Sequence, residues 1–169
     1  PEKIHVAGQW SRYDAEGEVI HTNPILYIVT RVDGSWGIQS RFGSDYADDD
    51  HDTSGLEGRT FSLIDDFTSH LNNNNVEACA ELLNYPHYGI GIGQLQEYLG
   101  PAQFTGTEHK ITVTSLQVLQ AGKMSVNAGL DLVVRDDSST NEFQAVVNVT
   151  VRDDHLGIQA WSVLDPNAE

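Results

Sequence analysis

The run Asp33-Gly34-Ser35-Trp36-Gly37-Ile38-Gln39-Ser40 returns 120 residues later as Asp153-Asp154-His155-Leu156-Gly157-Ile158-Gln159-Ala160. The correspondence extends without a gap from residues 21–45 onto 141–165 and keeps seven identical positions: Val29/Val149, Thr30/Thr150, Asp33/Asp153, Gly37/Gly157, Ile38/Ile158, Gln39/Gln159 and Asp45/Asp165. Upstream, Arg12-Tyr13-Asp14 matches Arg135-Asp136-Asp137 if the second hairpin turn is shorter. A period this long is the size of a whole small domain, not of a solenoid unit. Two unrelated hairpins could share turn chemistry, but the gapless Gly-Ile-Gln that follows favours duplication. The chain therefore reads as the terminal β-half of one copy (1–45), an acidic linker (46–59) and a nearly complete second copy (60–165).

Each repeat has strand character. Residues 4–13, 19–32 and 36–42 are β-rich runs separated by Asp14-Ala15-Glu16-Gly17 and Asp33-Gly34, which are hairpin turns by composition. The second copy offers runs at 110–119, 123–134, 142–152 and 156–164. Between the repeats lies a helical part. Phe61, Ile64, Phe67 and Leu71 recur at helical spacing, with Asp65 and Asp66 on the other side. This predicts helices near 60–72 and 75–84, the second capped by Asn75 or a neighbour and stopped at Pro86. Helices followed by short extended segments and four long strands give an α+β fold.

Leu83-Asn84-Tyr85-Pro86-His87, following two helices, resembles the turn of NTF2-like proteins of the SnoaL-like, cystatin-like cone type. Tyr27 to Gln39 resembles the last hairpin of the same group. The resemblance implies a curved antiparallel sheet wrapped around N-terminal helices, here preceded by an extra three-stranded antiparallel segment. It also implies a cone-shaped pocket, and relatives that include cofactor-independent isomerases, dehydratases and cyclases as well as proteins without activity. The first copy lacks helices of its own. The second has only residues 99–109, interrupted by Gly100, Pro101 and Gly106, where a further helix usually stands, so its pocket should be shallow or open.

Charge narrows the partners. With 25 acidic against 9 basic residues the net charge is −16, a surface that repels nucleic-acid phosphates and anionic membranes. No apolar run is long enough to span a bilayer and no signal peptide opens the sequence. Together with the single Cys79, which excludes an internal disulfide, this fits a cytoplasmic setting. The chain opens on Pro1 rather than Met, which reads as a processed product or a piece of a longer chain.

Strand alternation assigns faces. Met124, Val126, Ala128, Leu130, Leu132 and Val134 form one face of the second long strand of this copy; Phe143, Ala145, Val147, Val149 and Val151 continue it. Leu156, Ile158, Ala160 and Ser162 complete an apolar inner wall, with Phe61, Phe67, Leu130, Phe143, Val147 and Ile158 as the ligand-facing candidates. Trp161 and Val163 fall on the outer face with Asp131, Gln144 and Asn148. In the first copy the same rule turns Tyr27 and Ser40 inward and Arg41 outward. An inner wall without titratable groups points to a non-catalytic binder of a small apolar molecule, or to an assembly domain. The catalytic alternative is an acid–base lyase or isomerase with His87 as base and Tyr85 and Tyr88 as donors.

No cofactor or metal is indicated. Gly89-Ile90-Gly91-Ile92-Gly93 lacks the strand-to-helix context of a dinucleotide loop. Asp48, Asp50 and Asp52 could attract Ca²⁺, but Thr53 stands where an EF-hand needs Gly. Residues 1–45 cannot stand alone as a small sheet. They are expected to pack on the outer face of the second copy, within the chain or across a homodimer, with Trp161 in the contact and Trp10 or Trp36 nearby.

Overall fold

The computed structural model describes residues 2–43 and 52–164 as two sheets packed face to face, with helices on the far side of the larger one. The first sheet is β1 (Lys3–Tyr13), β2 (Val19–Val32) and β3 (Ser35–Gly43), in that order and antiparallel. Then follow α1 (Ser54–Asn72), α2 (Val76–Glu81), β4 (Leu83–Ile90), β5 (Leu95–Tyr98), β6 (Lys110–Ala121), β7 (Ser125–Arg135), β8 (Thr140–Arg152) and β9 (His155–Leu164). The second sheet is ordered β5-β4-β9-β8-β7-β6 and is antiparallel except where β4 runs parallel to β9. The chain is thus α+β, with a curved sheet over helices and a separate three-stranded sheet.

Helix α1 begins six residues before the expected position 60, inside the stretch read as linker. Asp52 Oδ1 accepts the Ser54 N–H at 2.9 Å, and the Thr53 hydroxyl donates to Glu57 Oε1 at 2.6 Å. The Asp52 contact takes up one of the unpaired N–H groups of the first turn, while the N-cap Thr53 makes no side-chain cap bond of its own. The acidic stretch 45–52 lies, except for Asp52, outside the described residues, and with it Asp48 and Asp50 of the Ca²⁺ reading. The buried stripe of α1 is Thr60, Leu63, Ile64 and Leu71. Phe61 stands about 100° round the helix from Thr60 and is 40% exposed. Asn75 Oδ1 caps α2 by accepting the Ala78 N–H. The second helix stops at Glu81 rather than near 84, because Leu83 enters β4 and pairs with Ile158 of β9.

Face assignment by alternation holds on β7 and β8 and fails halfway along β9. Asn148 pairs with Ala160 but Val149 pairs with Ile158, so Gln159 is bulged out. A bulge exchanges the faces beyond it. Trp161 and Val163 therefore face the helices, while Ala160 and Ser162 turn to the opposite side, correcting all four expectations. The same event occurs 120 residues earlier: Ile28 pairs with Ser40 and Val29 with Ile38, bulging Gln39. Tyr27 and Ser40 consequently lie on opposite faces, and Arg41 joins Tyr27. The turns preceding the bulges also correspond, with positive φ at Asp33 and Gly34 and at Asp153 and Asp154, the type I′ geometry that suits a tight hairpin.

The outer face of the large sheet receives the small one. Leu26, Ile28 and Phe42 pack with Ile90, Val146 and Ala160; burying each large apolar side chain contributes roughly 1.5–3 kcal/mol. The Lys3 ammonium donates to Ile90 O (2.6 Å), Val163 O (3.0 Å) and Ser162 Oγ (3.2 Å), and His5 Nε2 lies 3.0 Å from Ser162 Oγ. Gln120 Nε2 reaches Gly8 O and Ile25 O from β6. The packing is within the chain, but its aromatics are not those expected. Trp161 belongs to the opposite face, and Trp10 and Trp36 are 43% and 50% exposed.

Candidate functional site

A cavity of about 360 Å³ opens between α1 and the inner face of the large sheet. Its wall is built largely by positions that make the core: Ile64, Phe67 and Leu71 from α1, Leu130 and Leu132 from β7, Ala145 and Val147 from β8, Ile158 and Trp161 from β9, joined by the exposed Val163. Ile111 and Val113 of β6 and Phe104 complete it. Phe104 follows the short 3₁₀ turn Pro101–Gln103, the only regular structure among the described residues of 99–109. Phe104, Gly106 and Thr107 of this segment line the cavity.

Trp161, Phe67 and Phe104 form the aromatic end of the cavity, with centroid separations of 5.8 Å (Phe67–Trp161), 6.0 Å (Phe67–Phe104) and 6.2 Å (Phe104–Trp161). These are the spacings of tilted and edge-on aromatic contacts. Among the described residues lining the cavity none is acidic, basic, a thiol, an imidazole or a phenol. The hydroxyls are those of Thr68 and Thr107. Thr68 donates to Ile64 O at 2.8 Å, whereas Thr107 Oγ1 accepts the His109 N–H at 3.2 Å and keeps its own proton to donate.

Of the ligand-facing candidates, Phe67, Leu130, Val147 and Ile158 line the cavity. Phe61 points away, and Phe143 packs half-buried against the core without reaching the lining. Trp161, the largest side chain of the wall, was missed for one reason: a single bulged residue moved it across the sheet. The only cue was the Gln39/Gln159 identity, which carries no bulge signal by itself.

The three catalytic candidates lie on β4 but not around one space. Tyr85 packs on the helix side of the sheet, where its hydroxyl donates to Ala80 O at 2.9 Å and burial pushes its pKa up. Tyr88 packs on the other side, against the small sheet, and its pKa is raised by the hydrogen bond to Glu97 and the accompanying burial and charge. His87 is fully buried behind Trp161, with ring centroids 4.1 Å apart, and 5.6 Å from Tyr98. Its Nδ1 lies 2.9 Å from Ile158 O and must donate there. Burial lowers its pKa to about 4, outweighing that bond, so the ring is neutral and Nε2 carries a lone pair. That Nε2 has no hydrogen-bond partner among the described residues. Cys79 is buried with its pKa raised by burial, the setting of an inert thiol. Among the described residues no helix is long and apolar enough to cross a membrane.

No protein-family model matches the sequence, and no curated protein is similar enough to match. Solved structures do match, and the three that follow share 10–13% of their residues with this chain. An NTF2-like protein with a cystatin-like fold from Novosphingobium aromaticivorans is 13% identical, aligning 71% of this chain with 94% of its own at a TM-score of 0.54. ActVI-ORFA from Streptomyces coelicolor is 12% identical, with 68% and 99% of the chains covered and a TM-score of 0.54. The association domain of Caenorhabditis elegans CaMKII is 10% identical, with 66% and 98% covered and a TM-score of 0.53. At these identities the likeness establishes the fold, which is NTF2-like and cystatin-like.

Proposed function

We propose that this NTF2-like chain is a non-catalytic binding module that holds a small apolar molecule between α1 and the curved sheet. The observation that carries this reading is the lining: an aromatic and aliphatic wall without a titratable group, around a volume at the low end of small-molecule sites (about 300–1,000 Å³). Such a wall rewards a neutral ligand and penalises a charged one, because nothing there offsets desolvation of an ion. The Thr107 hydroxyl, whose proton has no acceptor among the described residues, suits one acceptor on the ligand, a carbonyl or ether oxygen.

The test uses Trp161 as the reporter. Trp10→Phe and Trp36→Phe remove the two exposed indoles and leave one in the cavity wall. Titration with the neutral fluorophore N-phenyl-1-naphthylamine should give saturable energy transfer from Trp161. Val113→Trp, at the half-buried β6 wall, should abolish it while the unfolding midpoint is kept. Decanol should compete and decanoate should not. Equal competition by decanoate, or binding that survives Val113→Trp, would refute the cavity as the site.

The arrangement of the two sheets supports a second part of the reading, a partial duplication packed as an intrachain pseudo-dimer. Leu26 corresponds to Val146 at the 120-residue offset, and these two sit in one cluster between the sheets. Equivalent faces thus meet, and the face that could serve assembly between chains is occupied from within. The catalytic alternative draws on one observation, the neutral His87 with an unpartnered Nε2 one ring behind the cavity wall. It predicts turnover of a cavity ligand that is lost in His87→Gln.

A further inference from the structure

The small sheet buries one face against the large sheet and turns another outward. Register puts Ile4, Val29 and Ile38 in one row of that outward face, Val6, Tyr27 and Arg41 in the next, and Arg31 opposite Trp36. Ile4, Val6, Trp36 and Ile38 are 40%, 42%, 50% and 64% exposed. A row of this kind on a two-layer protein is an interaction surface rather than scatter.

The second copy shows what such a face is shaped for. At the 120-residue offset Tyr27, Val29 and Ile38 become Val147, Val149 and Ile158, all of them buried on the helix side. The cover there is α1, whose Ile64, Phe67 and Leu71 share one cavity with Val147 and Ile158.

Charge selects the occupant. Arg12, Arg31 and Arg41 are half of the arginines in a chain of net charge −16, and by register all three lie on this outward face and are exposed. Two copies set face to face would oppose their arginines, whereas an acidic partner would be drawn in. Helix α1 is itself amphipathic and net acidic, with Glu57 flanking its buried stripe and Asp65 and Asp66 on the opposite side.

We propose that the outward face of the β1–β2–β3 sheet is a docking surface for an acidic amphipathic α-helix, seated there as α1 is seated on the large sheet. The inference rests on the duplication reading and is independent of whether the cavity binds a ligand. The probe is a synthetic peptide with the α1 sequence, residues 53–73, titrated into the intact ¹⁵N-labelled chain. Saturable shifts are expected at the amides of Ile4, Val6, Val29 and Ile38. Binding should weaken roughly fivefold or more in Arg31→Glu/Arg41→Glu and on raising salt from about 50 to about 500 mM. Ile38→Asp should remove it without moving the unfolding midpoint, since that side chain is largely in solvent. Absence of shifts at about 1 mM peptide, or shifts confined to the large sheet, would overturn the proposal. So would light scattering that shows a dimer of the chain alone and a monomer for Ile38→Asp, which would make a second copy the occupant.

Discussion

His87 should make this protein acid-sensitive in a narrow window. Its imidazole is fully buried, and burial lowers its pKa to about 4 from an ordinary 6.5. Between those values the unfolded chain binds a proton that the folded chain refuses. Stability therefore rises with pH across the window and falls as pH drops from 6.5 towards 4. The full shift is worth about 3 kcal/mol at about 1.4 kcal/mol per pH unit. At about pH 5 the unfolded imidazole is almost wholly charged and the folded one almost wholly neutral, which removes about 2 kcal/mol relative to pH 8. The assay is urea unfolding at the two pH values, in the wild type and in His87→Gln. Carboxylates titrate alike in both, so the wild type should lose about 2 kcal/mol more than the variant. His5, whose pKa is also lowered to about 4 by burial and by Lys3, remains in both chains and cancels. An identical pH dependence in His87→Gln would refute the reasoning, as would an NMR titration of the His87 ring with a midpoint near 6.5.

Lys3→Met should lower stability by about 2 kcal/mol, since Ile90 O and Val163 O lose their ammonium donor inside the sheet-to-sheet contact; chemical denaturation measures it, and an unchanged midpoint would show that the tether contributes nothing. Gly157→Ala should cost about 1–3 kcal/mol because its Cβ meets the Asn84 backbone, whereas Gly37→Ala, at the matching repeat position, should be near neutral; equal effects in thermal unfolding would contradict the geometry. Leu130→Asp, placing a charge in the cavity wall, should cost several kcal/mol and unfold the chain, which near-wild-type thermal stability would disprove.

Much of the architecture was legible because it rests on local chemistry. Periodicity placed α1 through Ile64, Phe67 and Leu71, hairpin turns placed β2 and β3, and β8 followed alternation to Val149 without interruption. A small sheet had to find a partner layer, but the face that packs on the large sheet carries Leu26 and Ile28, opposite the face of Tyr27 that the sequence turned inward. The parts that escaped depend on contacts distant in sequence. His87 follows a proline in a turn-like motif, and nothing local says that its Nδ1 will meet Ile158 O, 71 residues on. Lys3 is one of three lysines in an acidic chain, and its burial among carbonyl oxygens is visible only once two sheets are in place. The cavity was half legible: its aliphatic floor and Phe67 follow from periodicity, whereas Trp161 and Phe104 do not.

The misplacement of Trp161 traces to Gln159, whose bulge serves more than one purpose. Without it, strict alternation would put Trp161 against the small sheet and Ala160 and Ser162 against the helices. Three contacts would then be lost together: Trp161 with Phe67 and Phe104, Ala160 with Ile28 and its neighbours, and Ser162 with Lys3 and His5. The bulged side chain is also held in place, because Gln159 Nε2 donates to Pro86 O while its Oε1 accepts from Arg152 Nη1 at 3.2 Å. Gln39 repeats the arrangement from the other sheet. Its Nε2 donates to Gln94 O at 2.8 Å and its Oε1 accepts the Gly93 N–H at 3.1 Å. Both bulge glutamines thus fasten their strands to the β4–β5 segment, one from within its own sheet and one across the contact. That shared use gives a physical reason for the Gln39/Gln159 identity, since glutamine bonds at the exchange of faces in both sheets, whereas the close chain that requires glycine is met at Gly157 alone and not at Gly37.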